Sequence, residues 1–119
     1  MTVILRADRD GEYRYRITAT DRGYLVSMRT SRGPGVWLAS EWLHQNLEPA
    51  EACLNAVRAF NAAWRAMQTG LPSDALLRQA ETLSAAHSQA CERYNDPPLV
   101  GQEVRALREA IETQDLEAE

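Results

Sequence analysis

The sequence contains no lysine; all 13 basic residues are arginine. That removes the side chain that most readily serves as a Schiff-base former or an amine base. The bias fits a GC-rich coding sequence, in which lysine codons are scarce. Cysteine is scarce too. Cys53 and Cys91 are the two present, too few for the framework of a small secreted disulfide-rich domain. Only two histidines occur, His44 and His87. No GxSxG, GxxxxGK or GxGxxG signature is found. Catalysis is therefore not expected, and no cofactor is implied. No apolar run approaches the roughly 20 residues that cross a bilayer. The opening Val3-Ile4-Leu5 run is too short for a signal-peptide core, so a soluble, cytoplasmic protein without a membrane partner is expected. Internal repeats and low-complexity tracts are absent as well.

What is present has ordinary globular proportions: 119 residues, 45% apolar and 25% charged, with a net charge of −4. That length predicts one domain over 1–119. The charge is uneven. Residues 1–35 carry seven arginines against four acids, a balance of +3, whereas 36–119 carry six against thirteen, a balance of −7.

Hydrophobic periodicity divides the chain. Over 1–39 it is two, which predicts strands. Tyr13, Tyr15 and Ile17 alternate with Arg14, Arg16 and Thr18; Tyr24, Val26 and Met28 alternate with Leu25, Ser27 and Arg29. Turn-forming residues at 9–11, 20–23 and 31–35 connect the strands into an antiparallel meander of three or four. Over 40–114 the period becomes helical. A short helix is expected from Ser40 through ASEWLHQN. A long one follows from Glu48-Pro49 with the stripe Cys53, Val57, Phe60, Trp64 and Met67. A third, capped by Ser73, has the stripe Leu76, Ala80, Leu83, His87, Ala90 and Tyr94. A last one follows Asp96. The acidic tail 115–119 is expected to fray. The predicted class is α+β, a meander covered on one face by three or four helices.

Turn lengths give a provisional register. Three-residue and five-residue loops set Arg6 opposite Arg14, Arg14 opposite Arg29, and Arg29 opposite Trp37. The inner face is then Val3, Leu5, Tyr15, Ile17, Val26, Met28, Val36 and Leu38. The outer face carries Arg6, Arg14, Arg16 and Arg29 in a row, with Trp37 at its end. These five are the candidate partner-binding residues. Like charges opposite one another in a sheet repel, so the row reads as a surface for an acidic protein or nucleoprotein partner. Direct nucleic-acid binding is the alternative. Against it, the tyrosines between the arginines point inward, and the chain as a whole is acidic. The bland reading is a solvated face.

Three further readings concern other regions. Cys53, His87 and Cys91 fall at one level if the second and third helices form a hairpin, and could converge as zinc ligands. No fourth ligand is evident, so they are expected to be core residues and no metal is expected. The acidic C-terminal helix could imitate nucleic acid, although such runs are more often solvated. Trp42 reads as a plug where sheet meets helix. The expected function is that of a small non-enzymatic binding protein, monomeric or homodimeric, docking onto a larger partner. Short, motif-poor proteins of this kind are frequent among products of phages and mobile elements. Inhibitors of nucleic-acid machinery, such as anti-CRISPR proteins, are one such group.

Overall fold

The computed structural model describes residues 2–33 and 36–96, with side chains for all of these except 31–33 and 36–38. Four antiparallel strands come first: β1 (Val3–Asp10), β2 (Tyr13–Thr20), β3 (Gly23–Gly33) and β4 (Val36–His44). They lie in the sheet in chain order. Two helices follow, α1 (Leu47–Gln68) and α2 (Asp74–Tyr94). The class is thus α+β with an N-terminal meander. The expected last helix lies outside the described residues.

The expected short helix from Ser40 is instead the second half of β4. Its residues pair with β3 as far as His44 opposite Tyr24. A helix-compatible stretch becomes strand here because β3, 11 residues long, offers a ladder that pairs the inward-facing edge of β4 along its length. Strand parity sends Trp42 into the core. Gly23 makes the close approach possible. It has φ +137°, and a Cβ at this position would collide with the His44 carbonyl oxygen.

The first two hairpins turn through two residues, Gly11-Glu12 and Asp21-Arg22, because Asp10 pairs with Tyr13 and Thr20 with Gly23. Gly11 supplies the left-handed conformation at φ +61°, which costs glycine almost nothing. The Thr20 hydroxyl accepts from the Arg22 amide at 3.1 Å and donates to the Gly23 carbonyl at 3.0 Å, closing the second turn.

Alternation buries Tyr15, Ile17 and Val26 against Ala50, Cys53, Leu54, Ala56 and Val57 of α1, with Tyr13, Tyr24, Met28 and Trp42 packed around them. On its other side α1 meets α2 through small residues, Ala59 and Ala63 against Ala80 and Leu77. Because α1 is the middle layer, its buried surface is wider than the single stripe expected. Ala50, Leu54, Ala56, Ala59 and Ala66 are buried with Cys53 and Val57, while Phe60, Trp64 and Met67 are only partly so. At the end of α2, Tyr94 is exposed rather than in the stripe.

The start of β1 departs most from expectation. The β1–β2 register shifts between Ile4 and Arg6, which makes Leu5 the extra residue of a bulge. Val3 and Leu5, expected in the core, are 50% and 47% exposed. Past the bulge Arg6, Asp8 and Asp10 pair with Ile17, Tyr15 and Tyr13, on the helix-facing side. There they meet α1. Arg58 donates twice to Asp10, at 2.7 and 2.8 Å, and once to Asp8 at 2.7 Å. Arg6 donates to Asp8 at 2.9 Å and to the Asn55 side-chain oxygen at 3.1 Å. Hydrogen bonds from Arg58 hold the Asp10 carboxyl below its ordinary value. This clamp closes the edge of the core that lacks apolar strand residues.

Candidate functional site: the outer sheet face and a buried histidine–cysteine cluster

The outer face follows from strand parity. Register places Arg9, Arg14 and Arg29 side by side across three strands, ending on Ala39 of β4. The next outer row is Ala7, Arg16, Ser27 and Glu41, and the next is Ile4, Thr18, Leu25 and Leu43. Arg9, Arg14, Arg16 and Arg29 are all exposed, as are Ile4, Glu41 and Leu43. The pairing of Arg14 with Arg29 is the one the turn residues predict. Arg6 is not in the row. The two-residue turn, in place of the three-residue loop expected, moves β1 by an odd number of positions, which sends Arg6 to the helix side and brings Arg9 to the outer face. Trp37 is opposite Ser31, not Arg29, because β3 and β4 are offset by two residues from the expected register. Its backbone parity matches the outer face, and its side chain lies outside the described residues. Arg9 is the member that sequence reasoning missed; its position in a turn-forming tripeptide hid it.

The second assembly is buried. His44 ends β4, Cys53 is in the second turn of α1, and His87 and Cys91 are one turn apart on α2. All four are at most 1% exposed. One donor atom from each of His44, Cys53 and His87 lies within 4.8 Å of the other two. The two histidine Nε2 atoms are 3.0 Å apart, and Cys91 Sγ is 3.3 Å from His87 Nε2. Neither cysteine forms a disulfide. Burial holds both imidazoles in their neutral form. His87 is pushed down to about 4, with the neighbouring His44 adding to the effect. His44 is lowered by burial while the Asp96 carboxylate and the Trp42 backbone act in the opposite direction. Burial raises the Cys91 thiol. Of the expected trio, Cys53 and His87 come together with His44 and Cys91 adjoins His87; His44 is the donor that sequence reasoning lacked. The available signal was strand parity: His44 is two residues beyond the core residue Trp42.

A cleft of about 290 Å³ between the sheet and the second half of α1 is lined by Tyr13, Met28, Thr30, Ser40, Phe60, Asn61 and Trp64. Among these described residues no carboxylate, histidine or cysteine is available for acid–base or nucleophilic chemistry. No helix among the described residues is long and apolar enough to cross a membrane. No known protein family matches this chain, and neither do the curated proteins or the solved structures with which it was compared. The acidic C-terminal segment considered as a nucleic-acid mimic lies outside the described residues.

Proposed function

We propose that the protein is a non-enzymatic docking module that applies its outer sheet face to an acidic surface of a larger protein. The supporting observation is the composition of that face. Arg9, Arg14 and Arg29 lie abreast with Arg16 beside them, bordered by Leu25 and exposed Leu43. An acidic partner surface complements this row of positive charge and fixes the docking register. Arginine beside aliphatic surface is the chemistry of protein interfaces. The tyrosines that a single strand of nucleic acid would stack upon point the other way, with Tyr15 buried and Tyr13 packed against the core. Acting through a surface rather than a catalytic site, such a module serves as an inhibitor or accessory subunit, the role expected of phage and mobile-element products.

The test compares affinity capture from nuclease-treated lysate of the source cells by wild type and by the Arg14→Glu/Arg29→Glu double variant. The expected result is a protein retained by wild type and lost from the variant, with no gel shift of DNA or RNA by either. Salt-sensitive gel shifts that the double variant abolishes would replace this reading with direct nucleic-acid binding. Identical captured proteins from both forms would remove the arginine face as the interface.

A further inference from the structure

The two buried imidazoles and Cys91 do not satisfy one another as hydrogen-bonding groups. His87 Nε2 has either one proton or one lone pair, yet it faces both His44 Nε2 and Cys91 Sγ. If it donates to His44, it leaves its own Nδ1 bare and forces the His44 proton onto Nδ1. If it accepts, the two roles exchange. One Nε2 atom thus faces two polar neighbours and can serve only one of them as a hydrogen-bonding group, whereas a metal ion could take all three atoms at once.

The geometry points to a structural zinc site at the junction of β4, α1 and α2, in which the converging trio His44, Cys53 and His87 is completed by Cys91, 3.3 Å from His87. Zinc takes two imidazoles and two thiolates tetrahedrally, with bonds of about 2.0–2.1 Å to nitrogen and about 2.3 Å to sulfur. Those bonds separate two nitrogens by roughly 3.3 Å, and a nitrogen from a sulfur by roughly 3.5 Å. The separations of 3.0 Å and 3.3 Å need to open by only a few tenths of an ångström, and Cys91 Sγ has to turn toward the His44–Cys53–His87 group to complete the set. The same geometry puts two imidazole centroids roughly 5.2 Å apart, the separation found between His44 and His87. His87 and Cys91, four residues apart on one helical face, form the local chelating pair.

Charge favours the ion as well. Burying a bare divalent cation is prohibitive, but two thiolates and two neutral imidazoles make the zinc complex neutral. The buried Asp96, 7% exposed, adds a carboxylate close enough to act on both His44 and Cys91. Binding replaces the two thiol protons with zinc–sulfur bonds and releases about two protons per ion at neutral pH. The ion would join the last strand of the sheet to both helices. It goes beyond the docking role, on which it does not depend.

The test uses the full chain without an affinity tag that binds metal, produced in zinc-supplemented medium and kept reduced. Elemental analysis should find one zinc per chain. Removing it with a chelator should lower Tm by roughly 10 °C or more. Titrating the stripped protein with Co(II) should produce the intense visible bands and sulfur-to-metal charge transfer of a tetrahedral thiolate site, saturating at one equivalent. Cys53→Ser and His87→Gln should each abolish that saturation. If either variant fails to fold, wild-type stoichiometry and its Co(II) spectrum still decide the matter. Zinc far below one equivalent, a pale octahedral Co(II) spectrum, or a Tm unchanged by chelation would each overturn the site.

Discussion

The two sides of the β1 edge show what placement does to one residue type. On the helix side Arg6 and Arg58 meet Asp8 and Asp10 at 2.7–2.9 Å and close the core. On the outer side Arg9, Arg14 and Arg29 lie abreast, exposed. Chemistry is the same on both sides. The acids decide the difference: parity after the Leu5 bulge sends Asp8 and Asp10 inward with Arg6 and leaves Arg9 outside. Arginine with aligned carboxylates in a half-buried setting is structural. Arginine beside arginine on the exposed face of the sheet presents a row of positive charge to solvent.

Mutations should separate the two sides in graded fashion. Ile17→Ala, at the centre of the inner face, should cost about 2–5 kcal/mol in urea unfolding. Gly23→Ala should come next, at about 1–3 kcal/mol. Its Cβ collides with the His44 carbonyl, so it should also disturb the histidine–cysteine cluster, visible as changed His44 and His87 ring signals in NMR. Arg58→Ala should cost about 1–2 kcal/mol, since it leaves half-buried Asp10 without its bidentate partner and Asp8 with Arg6 alone. Arg9→Ala should stay within about 0.5 kcal/mol by the same measurement. An Arg9→Ala cost equal to that of Arg58→Ala would collapse the distinction between the two faces.

Acid gives a milder probe of the same contrast. Asp10 is held below 3.8 in the folded chain, chiefly by its hydrogen bonds from Arg58. Its contribution is therefore complete above the ordinary carboxylate range and is lost as the pH falls through the depressed folded value. Wild type should be more stable than Asp10→Asn at pH 7, and the gap should close below pH 3.8 in paired urea titrations. The outer face should show the smallest effect on stability. Arg14→Glu/Arg29→Glu should change it by no more than about 0.5 kcal/mol while changing partner binding most.

Parts of this arrangement were legible in the chain because they depend on local pattern. Tyr15, Ile17 and Val26 alternate with polar neighbours and are buried. The stretch Thr20-Asp21-Arg22-Gly23 fixes the β2–β3 register, hence the Arg14–Arg29 pair. The break after Gln68 and Ser73 at the start of α2 mark where helices end and begin. Legibility failed where one residue of turn or bulge sets the parity of a whole strand. For that reason Arg6 faces the helices rather than the outer row, and Arg9, expected in the turn, takes its place there. The stretch 40–44 failed differently: its residues tolerate a helix, and only pairing with β3 makes them strand.

The sequence by itself determined the class of fold, the order of sheet before helices, the inward tyrosines and the outward arginines of β2 and β3. These rest on side-chain periodicity, which each segment expresses alone. Tertiary structure decided which arginines of β1 face outward, that Arg58 closes the core on Asp8 and Asp10, and that His44 completes a buried group with Cys53, His87 and Cys91. Those outcomes depend on contacts between residues 43 to 50 positions apart. Such contacts are set by strand register and by the docking of α1 and α2, which no single segment encodes.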